Sequence, residues 1–434
     1  MSEAMKGDSK QTLLPKLRFP EFREEPGWTK APLRAYAMLV KDRVGAAKCT
    51  PYTVTSGVGL VSQQEKFGRT IAGNSFKNYL RLKKNDFAYN KSATKAFPQG
   101  YIARYLHDDD PGAVPNSIFT CFRVNESEVD PTYLDYLFAS NLHGRWLKTF
   151  LTVGARAHGS LNVRDYDLLA LPVPLPRGKS SLAEQQKIAN CLTSLDEVIA
   201  AHGRKLEILQ AHKKGLMQQL FPRAGETLPS LRFPEFRDKP EWSRKPLGDL
   251  FETGTGGTPD RAIKEYWGGG IPWITTSLVD GNVIRTAEEF ITEQGLENSS
   301  AKLFPAGTVL IALYGQGKTR GKVAILEIEA TTNQACAAVL PLGPIDPTFT
   351  FLSLGARYEE LRALSNSGGQ ENLSQRLIRA LPFSYPDDRS EQEKIVGCLS
   401  SLDDLVAAQV DALTALKTHK VGLMQQLFPS PERT

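Results

Sequence analysis

The sequence predicts an α+β protein in which two globular domains of mixed α/β structure are separated by two long helices. Two observations lead to this prediction. The chain of 434 residues contains an internal duplication, and each copy ends in a long stretch with heptad periodicity. The segments between the copies contain short apolar runs bounded by Gly and Asn turns, a pattern typical of strands. The composition, with 41% hydrophobic and 23% charged residues, excludes a disordered or collagen-like chain.

The duplication consists of two repeated elements. Residues 14–28 read LPKLRFPEFREEPGW and residues 228–242 read LPSLRFPEFRDKPEW, so that 11 of 15 positions are identical. The second element begins with EQQKIANCLTSLDEVIAA at Glu184 and with EQEKIVGCLSSLDDLVAA at Glu391, and both copies end in GLMQQLFP. Chance similarity does not reach this extent, and the chain is therefore a tandem duplication.

The heptad stretches predict two long helices, the first over residues 182–219 with a length of about 57 Å. Both apolar seams alternate steps of four and three residues. The seam residues are Ile188, Leu192, Leu195, Ile199, Leu206, Leu209, Leu216 and Leu220 in the first copy, and Ile395, Leu399, Leu402, Val406, Leu413, Leu416, Leu423 and Leu427 in the second. Ser181 with Glu184, and Ser390 with Glu393, have the spacing of capping boxes at the helix starts.

Two positions in each seam are polar: His202 and Lys213 in the first copy, Gln409 and Lys420 in the second. Polar seam residues lower stability but fix the partner and the register of a helix pair. We therefore predict that the two helices form an antiparallel coiled coil within the chain. Two alternatives stay open, namely pairing of each helix with another chain and a helix that covers its neighbouring domain.

The two variable segments between the repeated elements, residues 29–179 and 243–388, do not resemble each other in sequence. Predicted strands cover residues 102–106, 118–124, 307–313, 322–326 and 335–340, and helical patterns cover 132–147 and 349–364. Both segments end alike, with a Gly-rich loop, a Leu-Pro pair and a proline-containing run into the long helix. We therefore expect the two variable segments to share a fold.

Charge differs between the variable segments. Residues 28–180 contain 21 Lys and Arg against 12 Asp and Glu, a balance of +9, whereas residues 242–388 contain 13 against 17, a balance of −4. The first segment is therefore suited to bind a polyanion through charge alone. The second would need a local basic patch and specific contacts.

One motif in the sequence resembles a ligand-binding element. Residues 312–319, ALYGQGKT, fit a relaxed phosphate-binding loop, but a strand-like VAIL follows instead of the helix that such a loop requires, so we interpret them as a hairpin turn with basic residues at its tip. The five cysteines and six histidines lack metal-ligand spacing, and no nucleophile or methyltransferase motif occurs. The sequence therefore predicts no catalytic residue, no cofactor and no metal site. The polar N-terminus and the lack of a long apolar run predict a cytoplasmic protein that does not enter a membrane.

The order of these elements resembles the specificity subunit of type I restriction-modification enzymes along nearly the whole chain. The resemblance rests on the two heptad helices, the two LRFPEF segments and three phrases of the second variable segment. These phrases are GGTPDRAIKEYWGGGIPWITTSLV at 256–279, GTVLIALYGQGKTRGKVAI at 307–325 and ATTNQACAAV at 330–339. The resemblance implies a pseudo-two-fold repeat, with target-recognition domains at 1–180 and 223–388 and long helices at 181–222 and 389–434.

The resemblance also implies a function. Each target-recognition domain would read one half of a bipartite site in double-stranded DNA, and the coiled coil would set the spacer between the halves. Two methyltransferase subunits and two ATP-dependent restriction subunits would be the partners. These partners, and not this chain, would bind S-adenosylmethionine, ATP and magnesium and perform the catalysis.

Side chains that form hydrogen bonds at groove edges are the candidates for base contacts. In the first variable segment they are Lys91, Ser92, Lys95, Arg104, Arg156 and His158; in the second they are Thr275, Thr276, Tyr314, Gln316, Lys318, Arg320, Gln370 and Asn372. Each candidate also fits a solvated loop residue with no role in binding.

Two other classes of protein compete with this interpretation. A self-sufficient enzyme with a fused methyltransferase would need a catalytic tetrapeptide that the sequence lacks. A structural protein that assembles through its coiled coil, and whose variable segments bind protein or glycan, is the remaining alternative.

Overall fold

The computed structural model of the protein describes residues 13–108, 110–149, 161–315, 318–341, 343–364 and 373–429. The fold is mixed α/β, and the chain forms two compact units, Met1–Ala201 with Ala412–Thr434, and His202–Asp411. Each long helix therefore contributes one part to each unit. The domain boundaries predicted from the sequence differ in treating the helices as separate segments.

The first unit contains the first variable segment. Its strands are β1 (Thr29–Pro32), β2 (Ala37–Leu39), β3 (Thr50–Thr55), β4 (Gly59–Ser62), β5 (Leu80–Leu82), β6 (Phe87–Asn90), β7 (Tyr101–Arg104), β8 (Gly112–Val114), β9 (Phe119–Val124) and β10 (Pro172–Leu175). Its helices are α1 (Gln63–Phe67), α2 (Pro131–Ala139), α3 (Leu142–Leu147), α4 (Asp165–Leu169) and the start of α5 (Ser181–Leu220). One sheet has the strand order β2-β9-β6-β7 and a second has the order β4-β3-β8-β5. The entering strand β1 pairs antiparallel with the leaving strand β10.

The second unit contains the second variable segment. Its strands are β11 (Ser243–Pro246), β12 (Thr253–Thr255), β13 (Trp267–Ile274), β14 (Val283–Ile284), β15 (Glu289–Ile291), β16 (Leu303–Phe304), β17 (Val309–Ala312), β18 (Val323–Leu326), β19 (Ala330–Thr332), β20 (Cys336–Val339) and β21 (Pro382–Tyr385). Its helices are α6 (Leu247–Leu250), α7 (Glu293–Glu297), α8 (Pro347–Ala356), α9 (Tyr358–Leu364), α10 (Gln375–Ala380) and the start of α11 (Arg389–Leu427). The sheets have the orders β12-β20-β17-β18-β14 and β15-β13-β19-β16, and β11 pairs antiparallel with β21.

The two variable segments have the same strand order, so the prediction of a shared fold is confirmed. The order β2-β9-β6-β7 corresponds to β12-β20-β17-β18, to which the second unit adds β14. In the other sheet, β3 pairs antiparallel with β4 and parallel with β8, just as β13 pairs with β15 and β19. Sequence comparison alone did not align these segments, because any apolar residue can fill a buried strand position.

The predicted strands and long helices are present, but two predicted helices are broken. The pattern over 132–147 forms α2 and α3, which are separated at Asn141, whose backbone is left-handed with φ of 61°. Asn tolerates this conformation better than most residues and so ends a helix readily. The pattern over 349–364 likewise forms α8 and α9, which are separated at Arg357.

The repeated LRFPEF segment forms a buried clasp with the start of the following long helix. In the first unit, the Arg18 guanidinium donates from Nε and Nη2 to the two carboxylate oxygens of Glu184, each at 2.7 Å, and Trp28 Nε1 donates to Glu184 Oε1 at 3.1 Å. These hydrogen bonds raise the pKa of Arg18. The backbone N–H of Leu17 also donates to the Gln426 carbonyl near the end of the other long helix. The segment therefore joins the start of one long helix to the end of the other.

The second unit repeats this clasp. Arg232 donates twice to Glu391 at 2.7 Å, Trp242 Nε1 donates to Glu391 at 3.0 Å, and the N–H of Leu231 donates to the Gln219 carbonyl. The two sets lie at equivalent positions of the duplication.

The capping-box prediction at the helix starts is wrong. Helix α5 begins at Ser181 itself, and Glu184 lies in the clasp instead of at a capping position. At the second helix, Asp388 accepts hydrogen bonds from the backbone N–H and the hydroxyl of Ser390, and Glu393 pairs with Arg389. The three-residue spacing of Ser and Glu therefore does not indicate a capping box in either helix.

Within each unit, the segments of the two long helices contact each other in antiparallel register. In the second unit, Gln409 Nε2 lies 2.8 Å from His202 Nδ1, and Lys213 forms an ion pair with Asp403. In the first unit, Lys420 Nζ donates to both carboxylate oxygens of Asp196, at 2.6 and 2.7 Å. All four polar seam residues therefore contact the opposite helix.

Candidate nucleic-acid interface

The first element of the candidate interface is the loop 313–322 between β17 and β18. The two strands are antiparallel, and Gly321 N–H donates to the Ala312 carbonyl while Ala312 N–H donates to the Lys322 carbonyl. The prediction of a hairpin is confirmed, because residues 318–322 form a turn that leads into β18. A phosphate-binding loop would require a helix at this position.

The corresponding loop of the first variable segment is 91–100, between β6 and β7. Because β6 and β7 occupy the sheet positions of β17 and β18, the two loops are topologically equivalent. They contain Lys91, Ser92 and Lys95 in one segment and Tyr314, Lys318 and Arg320 in the other. Candidates that were chosen in each segment by their chemistry therefore lie in equivalent loops of the shared fold.

In each segment, one leucine donates a backbone hydrogen bond to the first residue of this hairpin loop. The N–H of Leu161 donates to the Lys91 carbonyl at 2.7 Å, and the N–H of Leu373 donates to the Leu313 carbonyl at 3.1 Å. Each anchoring Leu directly follows the Gly-rich loop that the sequence singled out. The candidates Arg156, His158, Gln316, Gln370 and Asn372 lie outside the described residues.

In the second unit, residues 275–282 run beside the base of the hairpin loop. The N–H of Gly281 donates to the Val323 carbonyl at 2.8 Å, and Lys322 forms an ion pair with Asp280. The candidates Thr275 and Thr276 start this segment and are half-buried, and the Thr275 hydroxyl is hydrogen-bonded to that of Ser277.

Sequence reasoning missed the equivalent element of the first variable segment, the turn 56–58 between β3 and β4. It follows β3 just as Thr275 follows β13, and Lys66 Nζ donates to Thr55 Oγ1 at its base. The signal that identifies this turn is the shared strand order, which the sequence alone did not reveal. We call the loop 91–100 with the turn 56–58, and the loop 313–322 with the segment 275–282, the reading edges of the two variable segments.

The candidate side chains differ in their exposure and in the contacts that they make within the protein. Lys95 and Lys318 are exposed, and Tyr314 is 40% exposed. The backbone N–H of Ser92 donates to the Asn90 side chain, and the Lys91 ammonium lies 3.3 Å from the Asp165 carboxylate. Lys95, Tyr314 and Lys318 are therefore the best placed of these for contact with a ligand.

Arg104 and Arg320 are less accessible. The Arg104 guanidinium donates to Thr132 Oγ1 at 2.7 Å and lies 3.5 Å from Asp135. Burial raises the pKa of Asp135, while the charges of Arg104 and Lys420 oppose this shift. The side chain of Arg320 is half-buried and has contacts within the protein.

One buried histidine supports the loop 91–100. His143 Nε2 lies 3.3 Å from the carbonyl of Gly100, the last residue of the loop, and the imidazole packs between Tyr89 and Phe138. Burial lowers the pKa of His143 to about 4. The imidazole is therefore neutral near pH 7 and acts as a packing and hydrogen-bonding group.

Neither a metal site nor a membrane span is found in the part of the chain that the structure describes. No group of three or more His, Cys, Asp or Glu side chains there is arranged to hold a metal ion. No helix among these residues is both long and apolar enough to cross a bilayer.

Comparison with known proteins links this fold to DNA recognition. Residues 239–415 match the family model of the type I restriction modification DNA specificity domain. The EcoR124I/EcoR124II specificity subunit of Escherichia coli is 27% identical over 324 residues, which cover 71% of this chain and 74% of that subunit. The MjaIX specificity subunit of Methanocaldococcus jannaschii is 32% identical over 171 residues, 38% of this chain and 39% of the relative.

Two solved structures share the fold. One is a chain from a study of complex assembly and conformational transition of the type I R-M system, with a TM-score of 0.61, 17% identity and coverage of 93% of this chain and 98% of that one. The other is the type I S subunit of M. genitalium, with a TM-score of 0.54, 18% identity and coverage of 96% and 100%. Both the fold and the family model that residues 239–415 match are therefore those of type I specificity proteins. Over most of its length the chain is similar to type I restriction enzyme specificity subunits, and residues 239–415 match the model of the type I DNA specificity domain.

Proposed function

We propose that this chain is a non-catalytic specificity subunit in which each variable segment reads one half of a bipartite DNA target. The observation that supports this most strongly is the repeated reading edge. One strand order presents equivalent loops in both segments, and the side chains on those loops differ completely. A duplicated scaffold with divergent loops suits the recognition of two different half-sites.

The long helices are proposed to form an antiparallel coiled coil that sets the spacer between the half-sites. The contacts of His202 with Gln409 and of Asp196 with Lys420 support this pairing. Helix α5, with 40 residues, is about 60 Å long, which exceeds the 34–36 Å of one turn of DNA. A rod of this length suits two recognition elements that contact successive turns.

The partners proposed for this chain are two methyltransferase subunits and two ATP-dependent restriction subunits. The equivalent surfaces around the two clasps support docking of the same partner twice, since a duplicated surface offers equal sites. Adenine methylation with S-adenosylmethionine, and cleavage with ATP and magnesium, would then take place on the partners.

The two variable segments are expected to use charge differently. The first has a balance of +9 and can attract the DNA backbone broadly, whereas the second has a balance of −4 and depends on local residues such as Lys318. We therefore expect the second half-site to depend more on individual loop side chains.

The test is a map of N6-methyladenine in DNA from cells that express this chain with its methyltransferase subunit. Methylation of both strands of one split motif, lost when this chain is deleted, is the expected result. A stable complex that methylates no motif would contradict the proposed function. Failure to form the complex would instead favour the structural assembly protein.

Loop variants sharpen this test. The double substitution Lys318→Ala with Arg320→Ala should reduce methylation of the motif by at least tenfold, because each removes a cation from one reading edge. Lys302→Ala, an exposed lysine before β16, is the matched control and should methylate normally. Equal methylation by all three proteins would exclude loop 313–322 from DNA recognition.

A further inference from the structure

The turn between β3 and β4 presents one large, exposed apolar side chain on the reading edge. Val58 is 72% exposed, the largest exposed fraction among the large hydrophobic residues that the structure describes. It lies between Gly57 and Gly59, whose φ angles of 82° and 122° are conformations that residues with a side chain rarely adopt. The two glycines make a tight turn that directs Val58 outward.

This turn is held firmly in place. Val58 N–H donates to the Thr55 carbonyl at 2.9 Å, and Lys66 Nζ donates to Thr55 Oγ1 at 2.7 Å. A Cβ atom at Gly57 would lie only 3.3 Å from the ring of Phe97, so the turn packs closely against loop 91–100. The Phe97 ring in turn meets Tyr101 edge to face, with 5.0 Å between centroids. The two elements of the reading edge therefore form one surface, with Val58 at its tip.

Base edges in the major groove present hydrogen-bond donors and acceptors, and one apolar group, the C5-methyl of thymine. A rigid, exposed valine cannot satisfy a donor or an acceptor, but it can cover that methyl group. Since this inference rests on the proposed function, it concerns the half-site that the first variable segment reads. We propose that Val58 contacts the C5-methyl group of a thymine in this half-site and thereby specifies thymine there.

The experiment uses the complex of the full chain with its methyltransferase and a duplex that carries the mapped motif. Each thymine of the motif is replaced in turn by deoxyuridine, which lacks only the methyl group, and the Kd is measured by fluorescence anisotropy. At one position, wild-type affinity should fall about fourfold, the loss expected for one buried methyl-sized group. The Val58→Ala variant should bind the thymine and the deoxyuridine duplex equally, with the lower affinity.

The matched control is Leu106→Ala. Leu106 is 58% exposed and follows the opposite end of β7 from loop 91–100, so that its loss tests general effects of removing exposed apolar surface. This variant should keep the fourfold preference for thymine. Circular dichroism and thermal unfolding of both variants verify that the fold is unchanged.

Three results would overturn the proposed contact while leaving the proposed function intact. They are a motif without thymine, a wild-type complex that is insensitive to deoxyuridine at every position, and a Val58→Ala variant that keeps the fourfold preference. Weaker binding of Val58→Ala together with an insensitive wild type would identify a wedge between base steps instead. If the wild-type complex methylates no motif, the proposed function fails, and the thymine contact fails with it.

Discussion

Glu184 and Glu391 are buried carboxylates that accept hydrogen bonds from an Arg and a Trp of the repeated LRFPEF segment. Their side chains are only 2% and 1% exposed, and burial of either carboxylate without its partners would lower the stability of the fold. A satisfied buried ion pair contributes little net stability but strongly disfavours arrangements that separate its members. The clasp therefore explains why this segment is repeated: it fixes where each long helix begins.

Removal of one clasp arginine should strongly lower the stability of the fold. We expect Arg18→Ala, or equally Arg232→Ala, to lower the free energy of unfolding by about 3–5 kcal/mol, because the Glu carboxylate stays buried without its cation. Urea unfolding followed by circular dichroism measures the change. Lys187→Ala is the control: the Lys187–Glu21 pair is exposed to solvent, so its loss should change the free energy of unfolding far less. Similar losses of unfolding free energy in the two variants would show that the clasp stabilises the fold no more than an exposed ion pair does.

His143 should make stability depend on pH. Its pKa of about 4 in the folded chain lies below the ordinary 6.5, so the unfolded chain binds a proton first as the pH falls. The stability that neutral His143 supports is complete above about pH 6.5 and is lost progressively down to about pH 4.

The comparison variant is His143→Gln, which retains an N–H donor for the Gly100 carbonyl but does not titrate. Between pH 7 and pH 5, wild type should lose roughly 2 kcal/mol more unfolding free energy than this variant. Urea midpoints at the two pH values give the difference. Parallel pH profiles would mean that His143 titrates normally in the fold.

At the scale of elements, the duplicated helix contacts have different surroundings in the two units. Asp196–Lys420 and Asp403–Lys213 occupy equivalent positions, but only the first is joined by Tyr136, whose hydroxyl donates to Asp196 at 2.7 Å. The Lys420 ammonium also lies 5.0 Å from the centre of the Tyr136 ring. Leu352 occupies the position of Tyr136 in the second unit, because α8 starts at Pro347 as α2 starts at Pro131.

Double-mutant cycles test this difference. We expect the coupling energy of Asp196 with Lys420 to exceed that of Asp403 with Lys213 by roughly 0.5–1 kcal/mol, since Tyr136 orients the first pair. The cycles use Asp→Asn and Lys→Met and compare free energies of unfolding. In a Tyr136→Phe background the excess should disappear; an excess that persists there would have another cause.

At the scale of the whole molecule, the proposed spacer function predicts a defined response to helix length. Insertion of one heptad into each long helix, after Leu206 and after Leu413, adds about 10.5 Å while keeping the heptad phase of both helices and the Asp196–Lys420 and Lys213–Asp403 pairs in register. The preferred spacer of the methylated motif should then increase by about three base pairs. The methylome of cells that express the variant with the methyltransferase gives the spacer directly.

The control inserts the heptad into one helix only. This leaves the polar contacts of the seam out of register, so that methylation should be lost or strongly reduced. An unchanged spacer in the variant with both insertions would exclude the helices from setting it.

The long helices, the duplication and the resemblance to type I specificity subunits all follow from the sequence. A heptad seam of eight apolar positions is local information, since the period of a helix decides which face is buried. The strands predicted at 307–313 and 322–326 follow for a similar reason, because continuous apolar runs between turns form buried strands. The hairpin nature of residues 313–322 followed from those two strands.

The contacts of the repeated residues and the equivalence of the variable loops depend on how distant parts of the chain pack. Glu184 resembled a capping residue in sequence, but its partner Arg18 lies 166 positions away, and such a contact depends on how the whole unit packs. The equivalence of loops 91–100 and 313–322 likewise required the strand order, because buried apolar residues are interchangeable and leave no alignable pattern. For the same reason Val58 passed unnoticed in the sequence: exposure at the tip of a turn results from the packing of β3, β4 and Phe97, and no local pattern records it.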